Sequence, residues 1–168
     1  MRLALVEGEH YRTRPGKAED TALICDAWRR SYSGPWSDFA GSPDLETYKR
    51  TQAMAIDLAL ASSEVLVACD PTDEDVVIGW ICFRRPNVLH YVHVKHDFRG
   101  NGLGRALFEA AFGAGVARVY ATHVHTVTYR TTLTTRRSSD GSIDRERPVP
   151  VWRAFGARVH FSPWMVFG

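Results

Sequence analysis

Between Val92 and Phe108 the sequence reads Val-His-Val-Lys-His-Asp-Phe-Arg-Gly-Asn-Gly-Leu-Gly-Arg-Ala-Leu-Phe, and these residue types specify a place for an anion. An apolar strand ending at Val94 runs into a turn made of Arg99, Gly100, Asn101, Gly102, Leu103, Gly104 and Arg105, which opens a helix. Glycine lets the backbone take positive φ and approach a ligand closely. The first turn of a helix presents unpaired N–H groups and the positive end of its dipole, and both favour phosphate. The turn lacks the Gly-Lys-Ser/Thr ending of a nucleotide-hydrolysing loop. Its glycines alternate at 100, 102 and 104, which also separates it from the dinucleotide fingerprint. A purely structural role, ending a strand and starting a tightly packed helix, explains three alternate glycines beside an arginine less well.

Groups able to move protons cluster on either side of this turn. His93 and Tyr91 are expected on one face of the strand, with His90, Val92 and Val94 on the other. His123 and His125 share a face of a following strand. An unperturbed imidazole titrates near 6.5 and suits proton transfer around neutrality. The His-x-His spacing is also permissible for a metal, but no cluster of cysteine or carboxylate partners accompanies it, so no metal site is expected.

The elements that position these groups follow from periodicity. Residues 2–7 alternate as a short first strand, and apolar positions from Glu19 to Arg30 recur at helical spacing. Ser42-Pro43 is a helix start, serine as cap and proline in the first turn, leading a helix that runs to Ser62. Val65–Cys69 and Val76–Phe83 read as strands joined by the acidic turn Asp73-Glu74-Asp75, an antiparallel hairpin. A strand over Val88–Val94, a helix from Gly102 to Ala114 and a strand over Arg118–Val124 follow. Thr126 to Arg137 holds six threonines, poor helix formers, although Val127, Arg130 and Thr134 fit one helical face. Residues 138–147 read as an exposed loop, Val151 to Phe155 as one helical turn, and Ala157–Phe161 and Trp164–Phe167 as two terminal strands. The order describes one α/β domain over residues 1–168, with a mixed, largely antiparallel sheet flanked by helices.

The segment resembles the coenzyme A signature of the GNAT superfamily of N-acetyltransferases: an apolar strand, about five residues, then Arg-x-x-Gly-x-Gly, matched by Arg99, Gly102 and Gly104. The resemblance implies acetyl-CoA or another acyl-CoA as the donor and direct attack by an amine in a ternary complex. It implies that backbone N–H groups of residues 99–104 hold the pyrophosphate, while the strand through Val92 and Val94 aligns the pantetheine arm. A splay between Val88–Val94 and Arg118–Val124 would admit the thioester, with the N–H near Val94 polarising its carbonyl. Tyr129 is then the first candidate for the acid that protonates the departing thiolate, with Tyr120 the alternative. Neither central strand carries a carboxylate, so His93, His123 or a water relay is left as base.

The resemblance also implies that Trp28, Arg29, Tyr32 and Trp36, in the aromatic-basic stretch before the second helix, line the acceptor site; packing of Trp28 against the sheet is the competing expectation. The whole sequence is similar to small acyltransferase-like proteins common in bacteriophage genomes, some of which modify nucleobases. Nucleic acid therefore stands as an alternative acceptor to an amine-bearing small molecule or protein, and a coenzyme-binding module without turnover is the non-enzymatic alternative. A formal charge of +2, from 21 basic and 19 acidic residues, does not by itself call for a polyanionic partner. No apolar run approaches the roughly 20 residues of a membrane span. Three dispersed cysteines do not form a disulfide framework, and a cytoplasmic location is expected.

Overall fold

The structure is a computed structural model, and it describes residues 7–8, 10–33, 44–122, 128–129, 149–150, 157–162 and 165. Strands β1 (Glu7–Gly8), β2 (Tyr11–Pro15), β3 (Glu64–Cys69), β4 (Val77–Arg84), β5 (Val88–Val94), β6 (Arg118–Ala121) and β9 (Arg158–Phe161) form a seven-stranded sheet in the order β1-β2-β3-β4-β5-β6-β9. Neighbours are antiparallel from β1 to β5, and the β5/β6 and β6/β9 pairs are parallel. A parallel pair needs a crossover, and helix α3 (Leu103–Phe112) supplies the one between β5 and β6. Strands β7 (Thr128–Tyr129) and β8 (Val149–Pro150) make a separate antiparallel pair. The α/β, largely antiparallel architecture expected from the sequence is the one observed.

Helices α1 (Asp20–Ser33) and α2 (Leu45–Ala61) cover one face of the sheet. Ile24 and Cys25 of α1, with Trp28 one helical turn on, pack with Ile56 and Ala59 of α2 on Val67, Trp80, Cys82 and Tyr91. The start of α2 differs from expectation. Asp44, not Ser42, is its cap, and the carboxylate accepts from the Thr47 N–H at 3.2 Å. On the other face, Leu103, Leu107, Phe108 and Ala111 of α3 pack on Leu66, Ile78, Ile81, Phe83 and Leu89. Among the described residues no helix is long and apolar enough to cross a membrane.

Three further segments correct the sequence reading. β2, where no strand is expected, sits inside the sheet and pairs with β3 from Arg12↔Cys69 to Pro15↔Leu66. Thr128–Tyr129 is extended backbone, not a helical turn. Met165 donates its N–H to the Ser162 carbonyl at 3.2 Å, closing a turn inside the expected last strand. The expected strand over 2–7 and helical turn over 151–155 fall almost wholly outside the described residues.

Candidate active site

β5 ends where the Lys95 N–H donates to the Ile78 carbonyl at 2.9 Å. A single 3-10 turn, His96–Phe98, then leads to Arg99. Gly100 and Gly102 take φ of 85° and 79°, the left-handed region that costs other residues roughly 1–2 kcal/mol. A Cβ at either position would meet nothing within 4 Å, so the demand for glycine there is conformational and the space beside it is open. Gly102 is the N-cap of α3 and brings no side chain to the exposed amides. The first intrahelical bond is from the Ala106 N–H to the Gly102 carbonyl at 3.0 Å. The N–H groups of Leu103, Gly104 and Arg105 therefore point out of the helix end, and no acidic side chain lies in this first turn. Gly104 is instructive. Its φ is not positive, and a methyl group there would meet only Val94 Cγ2, at an ordinary 3.7 Å. Neither backbone conformation nor packing among the described residues asks for glycine at 104. The bare, electropositive helix end, beside the last residue of β5, fits the phosphates of coenzyme A.

Next to this cradle lies the edge of β5 that faces away from β4. Residues of an antiparallel strand alternate between facing the partner and facing away. The Lys95 bond to Ile78 sets the phase, so His93, paired with Trp80, turns its backbone groups to β4. Val92 and Val94 then turn theirs to the opposite edge. The described part of β6 reaches only the first half of that edge. Its pairing with β5 consists of Val88↔Tyr120 and Leu89↔Ala121, ending with the Thr122 N–H on the Leu89 carbonyl at 3.1 Å. The residues that would continue β6 beside His90–Val94, 123–127, lie outside the described residues, and so does the expected splay between the two strands. Arg99 reaches back to the end of this edge, its Nε donating to the Val94 carbonyl at 2.8 Å.

The expected face assignments change at His90. Cys82 pairs with Tyr91 but Phe83 pairs with Leu89, so His90 is the extra residue of a β-bulge. Leu89, Val92 and Val94 face α3, whereas Tyr91 and His93 face α1 and α2. His90 leaves the face it was expected to share with the valines. Its Nδ1 lies 3.0 Å from Thr122 Oγ1, and both side chains are buried.

His93 stacks on Trp80 with ring centroids 5.9 Å apart. Burial, then Arg99, Lys95 and Arg30, push its imidazole from the ordinary 6.5 down to about 4. Burial, with Arg84 behind it, pushes His90 down to about 4 as well. Both rings are neutral at pH 7, and a base of that strength takes up a proton only weakly. The sign for stability follows. An imidazole that protonates near 6.5 when unfolded but near 4 when folded contributes stability present above 6.5 and lost as pH falls towards 4. Each such ring adds a slope of about 1.4 kcal/mol per pH unit inside that window. Thermal unfolding from pH 7.5 to 4 should show a Tm that is level above 6.5 and falls below it, with a shallower fall in His93→Gln. A Tm independent of pH across the window would refute this.

The remaining expected residues distribute unevenly. Val92, Val94, Arg99, Gly100, Asn101, Gly102, Leu103, Gly104 and Arg105 all lie along the end of β5, the turn and the helix end, although Leu103 turns its side chain into the core and Arg105 pairs with Glu109 at 2.8 Å. Trp28 is corrected. It is fully buried, 5.1 Å from the Tyr91 ring and 5.4 Å from Trp80, because it completes the apolar stripe of α1, and it offers no face to an acceptor. Arg29 is exposed, its Nε on the Cys25 carbonyl at 3.2 Å. Tyr32 belongs to the last turn of α1, and the Tyr129 backbone pairs with Val149. Trp36 and His123 lie outside the described residues. Sequence reasoning missed the His90–Thr122 contact, which only the bulge creates. Among the described residues no group of three or more His, Cys, Asp or Glu is placed to hold a metal.

The model of the acetyltransferase (GNAT) family matches residues 22–132, well over half of the chain. The chain belongs to the GNAT family. The GNAT fold carries the capacity to bind coenzyme A. Among solved structures the chain is similar to a GCN5-related N-acetyltransferase from Rhodopseudomonas palustris, at 20% identity and a TM-score of 0.44, covering 62% of this chain and 65% of that one. It is similar to a "histone acetyltransferase HPA2 and related acetyltransferase" from Corynebacterium glutamicum, at 17% identity and a TM-score of 0.45, covering 60% and 68%. A ribosomal-protein-alanine N-acetyltransferase from Brucella melitensis matches at 16% identity and a TM-score of 0.37, covering 59% and 66%. This GNAT chain thus spans about two thirds of the length of these relatives. No curated protein matches it in sequence.

Proposed function

We propose that this chain, acting as one domain, transfers an acetyl or related acyl group from coenzyme A to an amine by direct attack in a ternary complex. The observation that carries this reading is the juxtaposition of the uncapped N-terminus of α3 with the end of β5, where a Cβ added to Gly104 would lie 3.7 Å from Val94 Cγ2. In this reading the N–H groups of Leu103, Gly104 and Arg105 hold the pyrophosphate, and Gly100, Asn101 and Gly102 shape the loop around it. The backbone of Val92 and Val94 holds the pantetheine arm as a sheet edge holds an added strand. Acyl-CoA, when bound, supplies an activated thioester carbonyl. The Val94 N–H, fixed by the strand, polarises that carbonyl. Arg99 keeps the Val94 carbonyl occupied, which orients the peptide group at this point.

The Tyr129 phenol is the donor for the departing thiolate. His93 and His123 are the candidates to relieve the amine of its proton. For His93 the depressed basicity favours passing the proton to water over retaining it. The acceptor is an amine on a small molecule or protein, approached along the α1 side by Arg29, Tyr32 and Trp36.

Calorimetric titration of the folded chain with acetyl-CoA, compared with free CoA, tests the donor half directly. Saturable binding in the micromolar to millimolar range usual for enzyme substrates is expected. A folded sample that gives no saturable heat at millimolar acetyl-CoA would overturn the reading. An acceptor screen then spans small amines, protein extracts and DNA.

A further inference from the structure

Strand β4 contains a single glycine, and it lies opposite the last residue of β5: Gly79 pairs with Val94, and Trp80 with His93. On its other side β4 is bulged against β3. Ala68 pairs with Gly79 but Cys69 pairs with Val77, so Ile78 is an extra residue. The bulge turns Ile78 and position 79 to the same face, towards α3, while Val77 and Trp80 face α1 and α2. A Cβ at 79 would have Leu103 Cδ2 and Leu107 Cδ1 of α3 at 3.5 Å, ordinary contact distances, but the His93 carbonyl oxygen at 2.9 Å. The first two neighbours are side-chain ends that can give way. The third is backbone inside the sheet, and it is one end of the His93–Val94 peptide group. That group is planar and trans, so its C=O and N–H point in opposite directions. The carbonyl turns to β4 and the Val94 N–H to the far edge of β5. This N–H is the donor that polarises the thioester carbonyl in the proposed reaction.

We propose that Gly79 is a positioning residue for acyl transfer: its missing side chain leaves the His93–Val94 peptide group undisturbed, and so keeps the Val94 N–H aimed at the thioester carbonyl. The inference rests on the coenzyme A reading given above and goes one step beyond it. A methyl group at 79 has to push on the His93 oxygen, and a rigid peptide plane passes that push to its other end as a rotation. The next peptide group is held at both ends, by Arg99 Nε on the Val94 carbonyl at 2.8 Å and by the Lys95 N–H on the Ile78 carbonyl at 2.9 Å. Relief therefore falls on the 93–94 unit. A rotated donor loses its interaction with the acyl carbonyl, while the amides at the start of α3 stay where they are.

The test separates the acyl carbonyl from the rest of the donor. Free CoA has the phosphates and the arm of acetyl-CoA but no acyl carbonyl. In Gly79→Ala the acetyl-CoA Kd should rise about tenfold, the scale of one lost hydrogen bond, while the CoA Kd stays within about twofold. With acetyl-CoA carrying carbon-13 at the carbonyl, the isotope-edited infrared band of the bound thioester should lie at higher frequency in Gly79→Ala than in the wild type, because a carbonyl stiffens when a hydrogen-bond donor is withdrawn. Leu107→Val is the structural control. It trims the same contact with α3 and lowers Tm, but it should leave the band and the ratio of the two Kd values as in the wild type. Should Gly79→Ala not fold, its combination with Leu107→Val, which vacates room for the methyl group at the 3.5 Å contact, carries the same measurements with a smaller shift in the same direction. An unmoved band, equal weakening of acetyl-CoA and CoA, or the same shift in Leu107→Val alone would overturn the positioning role. A wild type that binds neither ligand would instead bring down the coenzyme A reading, and the role of Gly79 with it.

Discussion

Gly102→Asp is expected to weaken acetyl-CoA binding by a hundredfold or more while the protein stays folded. The residue caps α3 at φ 79°, and a Cβ added there meets nothing within 4 Å, so the substitution creates no clash. Aspartate also tolerates the left-handed region better than most residues and is a favoured N-cap. Conformational cost and capping gain therefore oppose each other, and Tm should move by only a few degrees. Ligand affinity has no such compensation. The new carboxylate caps the amides that are proposed to receive phosphate, and it sets a like charge against the pyrophosphate. Two unit charges about 4 Å apart near a protein surface interact by roughly 4 kcal/mol, ample for a hundredfold loss. Gly102→Asn separates the terms, because its side chain has the same shape without the charge and should lose less. Calorimetry with acetyl-CoA, run beside thermal unfolding, measures both quantities. Unchanged affinity in a folded Gly102→Asp protein would show that phosphate does not sit at this helix end.

That glycine was legible in the sequence because its role is local: a positive φ between a strand and a helix leaves a residue-type signature. β5 was legible for a similar reason. Val88–Val94 is mostly apolar or aromatic, with three valines, and the strand has the bounds expected. What happens inside β5 was not legible. The bulge at His90 is a property of the pairing with β4, and it reverses the face of every residue on one side of it. Alternation counted along the sequence therefore grouped His90 with Val92 and Val94, and the structure separates them. Trp28 shows the same limit. An aromatic among arginines looks like a contact surface, yet its spacing from Ile24 makes it part of the helix stripe, and the stripe wins because burying a large ring stabilises the helix–sheet contact. β2 escaped notice since Tyr-Arg-Thr-Arg-Pro lacks an apolar alternation, and its buried positions are Thr13 and Arg14.

Arg14 explains how such a strand lies within the sheet, and removing its partner should cost more stability than other single changes considered for this chain. Its guanidinium meets the Asp20 carboxylate with both terminal nitrogens, at 2.6 and 2.9 Å, with side chains 10% and 8% exposed. The same guanidinium donates to the carbonyls of Pro15 and Glu74, and the Lys17 N–H donates to Asp20 at 2.7 Å. One ion pair thus joins β2, the first residue of α1 and the turn between β3 and β4. Asp20→Ala leaves the arginine charge covered and uncompensated, which typically costs 3–5 kcal/mol. The pair lies under the exposed Glu74 turn rather than in the deep core, so about 3 kcal/mol is expected. That is a large share of the roughly 5–15 kcal/mol that holds a domain together. Replacing both partners, Arg14→Met with Asp20→Leu, should recover part of the loss, since no charge is then stranded. Urea unfolding of the three proteins decides it, and a loss below about 1 kcal/mol in Asp20→Ala would reduce the pair to the value of a surface salt bridge. The acid range gives an independent check. The hydrogen bond from Arg14 holds the Asp20 carboxyl below its ordinary 3.8, so its contribution is complete above that value and is lost as pH falls through the lower, folded one. The histidine contribution is lost between 6.5 and 4. The two losses fall in adjacent windows, and Asp20→Ala should remove the lower one while leaving the upper one in place.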